Sequence, residues 1–340
     1  MATIDIHTHF MPRPYLELLG TDGPRNGVEV VTSEQGEPII MFEGHPFGPI
    51  GDVFFDADKR LADMDARRVD VHCLSLSPPM VYWADKELGI KLASVFNEET
   101  AKVADARPDR FIAIATLPMQ DVPAALAEGE KAIKELGMKG FYLGTNVLGK
   151  YLSDKDFWPI YELAQSLEIP IFVHPLRVVG ADRMDSHYLH NSIGNPTETT
   201  LAIAKMIFNG VPQDFPRLKF NFAHAGGAFP YLIGRLDRTF EMRKECQEAI
   251  PQPPSTYLDN FSFDTITHRK ETLAFLISLM GADKVLLGSD YPFDMGDDDP
   301  VASVEGVEGL PPEQTENILS ANAVDLLGLG AGHKSSAAAG

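Results

Sequence analysis

The chain has 340 residues, 44% hydrophobic and 23% charged, the balance of a folded globular protein and not of a disordered one. Asp and Glu total 49 against 29 Lys and Arg, a formal charge of -20, and such a field repels phosphate backbones and anionic lipid, so nucleic acid and membrane surfaces are excluded as partners. No apolar run is long enough to cross a bilayer, and no secretory signal is expected, because Met1-Ala2-Thr3-Ile4-Asp5-Ile6 leads straight into His7.

Along the chain, short apolar runs alternate with stretches of helical spacing. Strands are expected at 3–6, 69–74, 111–115, 140–143, 170–173, 219–222, 261–263 and 285–287, with helices among others at 122–136, 157–167 and 198–208. Eight β/α units read as a single (β/α)8 TIM barrel spanning residues 1–328. Residues 11–55 break the rhythm and read as a small β insertion over the barrel mouth, with strands near 28–31 and 38–42. Residues 329–340 are low-complexity and read as a disordered tail, leaving His333 without a role. Asn195-Pro196-Thr197-Glu198 reads as a helix start, with Asn195 as the cap and Glu198 as the capping-box acid. The two cysteines, Cys73 and Cys246, are too few for a disulfide framework and point to a reducing, cytoplasmic setting.

The first strand continues into Asp5-Ile6-His7-Thr8-His9. Residues two apart on a strand face the same side, so His7 and His9 can grip one divalent metal together. The pattern recurs where Ile171-Phe172-Val173 ends in His174, where Phe220-Asn221-Phe222-Ala223 ends in His224, and where Val285-Leu286-Leu287-Gly288-Ser289 ends in Asp290. Four strand ends thus bring four histidines and an aspartate to one face, which points to a metal site.

These motifs, H-x-H, F-V-H-P, H-A-G-G-A-F-P-x-x-x-G-R and G-S-D-Y-P-F, resemble those of the metal-dependent amidohydrolase superfamily. The likeness is strongest to the branch of aminocarboxymuconate-semialdehyde decarboxylase and related aromatic-acid decarboxylases. It runs through Leu117-Pro118-Met119-Gln120 and residues 195–200 to about residue 328. The resemblance implies that His7, His9, His174 and Asp290 hold one metal, zinc first and manganese second, with water completing the shell. It further implies that His224 stays off the metal and moves the proton, with Asp290 as its catalytic companion. Arg235 matches an arginine that reaches a neighbouring subunit's site to bind a substrate carboxylate, which implies a homodimer. Phe293, in the last motif, belongs to the same pocket.

Departures from the family pattern suggest a different substrate. The relatives carry an arginine before the first barrel helix, where residues 47–53 here read Phe-Gly-Pro-Ile-Gly-Asp-Val. They carry two tryptophans where this chain has Tyr188 and Asn191. Arg177, just past His174, is a candidate anion partner from another side, with a structural ion pair as its alternative. Lys139 is read as an ordinary lysine and not as a carboxylated bridge between two metals. His72 is read as packed, Asp297-Asp298-Asp299 as a solvated loop, and His187 and His190 as loop residues near the pocket. The function expected is metal-dependent, non-oxidative decarboxylation of a small aromatic or muconate-type carboxylic acid. The alternative is a hydrolase or hydratase acting on an amide, lactone, C–C or double bond with the same metal-activated water.

Overall fold

All eight expected strands form in this computed structural model, which describes residues 1–42 and 44–330. Most of the expected tail, His333 included, lies outside the described residues. In chain order the strands are β1 (Ile4–Phe10), β2 (Val28–Thr32), β3 (Pro38–Phe42), β4 (His45–Phe47), β5 (Val71–Leu76), β6 (Phe111–Ala113), β7 (Ala115–Thr116), β8 (Phe141–Gly144), β9 (Asn146–Val147), β10 (Lys150–Tyr151), β11 (Ile171–His174), β12 (Phe220–Phe222), β13 (Phe261–Asp264) and β14 (Val285–Leu286). One parallel run is β1-β5-β6 and another is β7-β8-β11-β12-β13-β14.

Backbone hydrogen bonds join these runs at both edges. Ile114 N–H donates to Leu74 O (3.0 Å) and Ala115 N–H to Gly140 O (2.9 Å), so β6 and β7 hand the chain from β5 to β8. At the other edge Ile6 N–H donates to Leu287 O (2.9 Å), Asp290 N–H to His7 O (2.9 Å) and His9 N–H to Tyr291 O (2.7 Å). Strands covered on both faces favour unbroken apolar runs, which is what Phe111–Ala113 and Val285–Leu286 supply.

Helices follow the strands, and the longer ones turn an apolar stripe toward the core. Helix Lys86–Ala106 buries Leu88, Leu92 and Phe96, four residues apart, and Asp85 caps it through Leu88 N–H at 2.9 Å. Residues 11–55 contain the antiparallel sheet β2-β3-β4 and also a helix, Arg13–Asp22, that the sequence reading lacks. It forms because Tyr15, Leu16, Leu18 and Leu19 all find burial, although Gly20 and the flanking prolines disguise the pattern.

The capping-box reading of Asn195 and Glu198 is wrong. The stretch His190–Gly194 is already helical and runs into helix Asn195–Phe208 without a side-chain cap. Glu198 is fully buried, and its carboxylate accepts Asn146 Nδ2–H (3.0 Å), the Tyr151 hydroxyl (3.2 Å) and Val179 N–H (2.8 Å). It pins two loops beside the site in place of starting a helix.

Candidate metal centre and active site

β1 carries both His7 and His9 because the strand extends well past the apolar run, with Thr8 buried between them. One ligand atom from each of His7, His9, His174 and Asp290 lies within 4.8 Å of the other three, and all four residues are buried. His7 Nε2 is 3.1 Å from His9 Nε2, which is 2.9 Å from Asp290 Oδ1.

The hydrogen bonds behind the ligands decide which nitrogens face inward. His7 Nδ1 is 2.7 Å from Asp264 Oδ2, so that nitrogen carries a proton and Nε2 offers a lone pair. His174 Nδ1 is 2.9 Å from Pro175 O, which again leaves Nε2 free to coordinate. Two imidazole lone pairs and a carboxylate converging this closely call for a cation between them. A divalent ion fits this donor set, since three neutral imidazoles and one carboxylate leave it net positive.

Ionisation states agree at His9, His174 and Asp290, and His7 runs the other way. Burial lowers His9 to about 4, against the pull of Asp290, and burial holds His174 well below its ordinary value. Both are therefore neutral, as ligands must be. Burial works against Asp290, but hydrogen bonds from His224 and His9 and the nearby imidazoles keep it well below the usual carboxylate range. His7 is likewise opposed by burial, yet Asp264 and Asp290 raise it overall.

His224 stands outside the four-residue group, with Nε2 3.5 Å from Asp290 Oδ2 and its ring centroid 5.1 Å from that of His174. It begins a turn with four successive positive φ angles, at His224 (54°), Ala225 (56°), Gly226 (71°) and Gly227 (64°). The glycines are required: a Cβ at Gly227 would lie 2.0 Å from Pro196 O.

Phe293 joins the site, its ring 4.9 Å from that of His9 and packed edge-on against Phe47 and Phe54. Tyr188 is half exposed, and burial, then the charges of Asp294 and Asp290, raise its hydroxyl above its ordinary value. Asn191 follows it, donating its N–H to Tyr188 O at 3.1 Å. Arg177 is exposed, its guanidinium carbon 5.7 Å above the Phe42 ring. Arg235 is exposed on helix Phe229–Met242 and makes no side-chain contact to the ligand cluster within this chain.

The remaining candidates fall outside the cluster. Lys139 is exposed at the entry of β8, the end opposite the ligands. His72 is buried with Nδ1 3.4 Å from an Arg60 nitrogen. Asp299 caps helix Pro300–Glu305 and Asp298 pairs with Arg67. His187 and His190 are exposed.

Sequence reasoning missed two residues. Asp264 ends β13 as Asp290 follows β14, an aspartate closing a buried strand. Arg60, fully buried, donates to the carbonyl oxygens of His9 and Val53 and lies over the Tyr291 ring at 4.8 Å, bracing the end of β1.

Comparison with known proteins gives a consistent answer. A family model described as Amidohydrolase matches residues 4–329. The chain is 38% identical to a 2-amino-3-carboxymuconate-6-semialdehyde decarboxylase of Dictyostelium discoideum over 328 residues, 96% of this chain and 91% of that one. Its fold matches a crystal structure of 5-carboxyvanillate decarboxylase from Sphingomonas paucimobilis with a TM-score of 0.80 at 25% identity, covering 96% and 98% of the two chains. It also matches a dihydroxybenzoic acid decarboxylase from Polaromonas, solved with bound manganese and the inhibitor 2-nitroresorcinol, at TM-score 0.80 and 25% identity, covering 96% and 97%. The chain belongs to the amidohydrolase family, on the branch of 2-amino-3-carboxymuconate-6-semialdehyde decarboxylase, and has the TIM-barrel fold of that family.

Proposed function

We propose that this protein is a metal-dependent decarboxylase that removes carbon dioxide, without oxidation, from a small aromatic or unsaturated carboxylic acid. The observation that carries this reading is His224, aimed at the ligand cluster from 3.5 Å but not part of it. A histidine so placed is free to carry a proton.

His7, His9, His174 and Asp290 would hold a divalent ion, which would supply a fixed positive charge to stabilise negative charge developing on the substrate. His224 Nε2 delivers a proton to the carbon bearing the carboxylate. The bond from that carbon to the carboxylate then breaks, carbon dioxide leaves, and its electron pair returns to the ring or conjugated system, so that one proton replaces one carboxylate. Phe293 closes one apolar side of the pocket against His9, and Tyr188, Asn191 and Arg177 are its outer wall, with Arg177 as an anion partner.

Several finer assignments belong to the same reading. Residues 1–328 act as one catalytic unit, a closed (β/α)8 barrel with 11–55 over its mouth. Zinc is the first choice of metal and manganese the second. Two free thiols support a cytoplasmic setting. The working form is a homodimer in which Arg235 binds the substrate carboxylate in the neighbouring site, and exposed Tyr231, Met242 and Phe275 nearby support a covered surface there.

The test is product analysis by mass spectrometry on a panel of aromatic and muconate-type acids. Loss of carbon dioxide is expected. A gain of water with the carboxylate kept overturns decarboxylation in favour of hydrolysis or hydration.

A further inference from the structure

Asp264 sits where two parts of the site meet. Its Oδ2 lies 2.7 Å from His7 Nδ1 and accepts His224 N–H at 2.8 Å. Its Oδ1 accepts Ala225 N–H at 2.7 Å and Ile266 N–H at 3.1 Å. The carboxylate is completely buried, and all four of these partners are donors to it. Gly288 makes the approach feasible, since a Cβ there would lie 2.8 Å from Asp264 Cβ and 3.0 Å from His7 Cβ.

We propose that Asp264 is a positioning residue that couples the metal ligand His7 to the proton carrier His224. Toward His7 it fixes the tautomer, holding the proton on Nδ1 so that Nε2 is the coordinating atom. Toward His224 it binds the consecutive N–H groups of a left-handed turn, a concavity that favours an anion. Positive φ at His224 and Ala225 is costly for residues with a Cβ and persists only when the surroundings enforce it. The carboxylate is the enforcing group. One side chain therefore sets both the aim of a ligand and the aim of the imidazole beside it, and neither can shift without the other.

This coupling rests on the metal and proton-carrier reading above, and its test separates the two. Asp264→Asn keeps the shape but offers one acceptor oxygen and one amide that can only donate. Four donors cannot all be met, so His7 loses its tautomer or the turn loses its clamp. Metal-stripped wild type and variant are titrated with Mn2+ against a chromogenic chelator. The variant is expected to bind about 10- to 100-fold more weakly. At saturating Mn2+ it is also expected to show a lower kcat with little change in KM, because His224 is misaimed while substrate binding persists. Ser262→Ala, two residues earlier on β13 and also hydrogen-bonded inside the barrel, controls for a merely structural loss and should leave Mn2+ affinity unchanged.

A measurement on unaltered protein guards against a variant that does not fold. Nitrogen-15 NMR of histidine-labelled, metal-free wild type is expected to show His7 protonated on Nδ1, and slow amide exchange is expected at His224 and Ala225. Wild type that takes up no metal overturns the metal reading. Wild type that does, together with a folded Asp264→Asn that matches it in affinity and kcat, or with His7 protonated on Nε2, overturns the coupling alone.

Discussion

His9 Nε2 stands 2.9 Å from Asp290 Oδ1 although 281 positions of sequence separate them. Either side chain alone is an inadequate ligand. His9→Ala or Asp290→Ala is therefore expected to strip the metal or weaken it severely, and elemental analysis of wild type is expected to give about one ion per chain. Two tightly held ions per chain would refute the mononuclear site.

His224→Ala is expected to retain the metal and to lose activity by about 10²-fold or more, the cost of removing a proton carrier. Metal content and turnover are measured on the same preparation. If the ion leaves with the imidazole, His224 is a ligand and the division of roles fails.

Arg235 tests the shared site. Arg235→Ala should keep its metal and raise KM for the carboxylate substrate by roughly tenfold or more, as the loss of a charged hydrogen bond requires. Mixing Arg235→Ala with His224→Ala subunits should restore activity, because mixed dimers contain one site with both groups intact. No recovery after proven subunit exchange would show that the arginine acts elsewhere.

Asp5 offers a test by pH. Burial raises its carboxyl from 3.8 to about 7, and its Oδ2 has no hydrogen-bond partner among the described residues, whereas Oδ1 accepts His7 N–H and Ser289 N–H at 3.1 Å each. Between those two pKa values the folded protein binds a proton that the unfolded chain has released, so this group's contribution to stability falls as pH rises through that window. Asp5→Asn cannot ionise. Denaturant unfolding of metal-free proteins should find it more stable than wild type at about pH 8, with the difference shrinking towards about pH 4. His9 works in the opposite direction, losing stability as pH falls below its unfolded value, but it does so in both proteins. A difference independent of pH would contradict a buried ionising Asp5.

Glu198 separates a clamp from a cap. Glu198→Ala leaves a buried N–H of the Asn146 amide unpaired, at a cost of about 1–3 kcal/mol, and releases the part-buried Val179 N–H, whereas Asn195→Ala should cost almost nothing because Asn195 makes no cap. Chemical denaturation of both variants ranks them. Equal losses would restore the capping reading.

The metal ligands were legible because each follows or extends a run of strand-forming residues, and strand periodicity alone puts His7 and His9 on one side. The H-x-H alternation, and not hydrophobicity, is what carries β1 past its apolar run. Three polar residues, His7, Thr8 and His9, are buried in its second half, and a hydrophobicity pattern stops at Ile6. Asp264 carried the same local signature as Asp290, but its meaning depends on which backbone turn and which imidazole lie next to it in space. Glu198 misled for the converse reason: its local pattern fits a capping box, while its partners at 146 and 151, on β9 and β10, and at 179 are set by tertiary packing.

The seam between the first strand and the last has a consequence for biosynthesis. Asp290 N–H and His7 O, and His9 N–H and Tyr291 O, pair the start of the chain with a segment made near its end. While a ribosome is still translating the middle of the message, His7 and His9 have emerged but lack both their fourth ligand and the strand that aligns them. Metal capture by all four ligands thus has to wait for residue 290 to be made, and a truncated product lacking it forgoes that stabilisation and is left open to proteolysis.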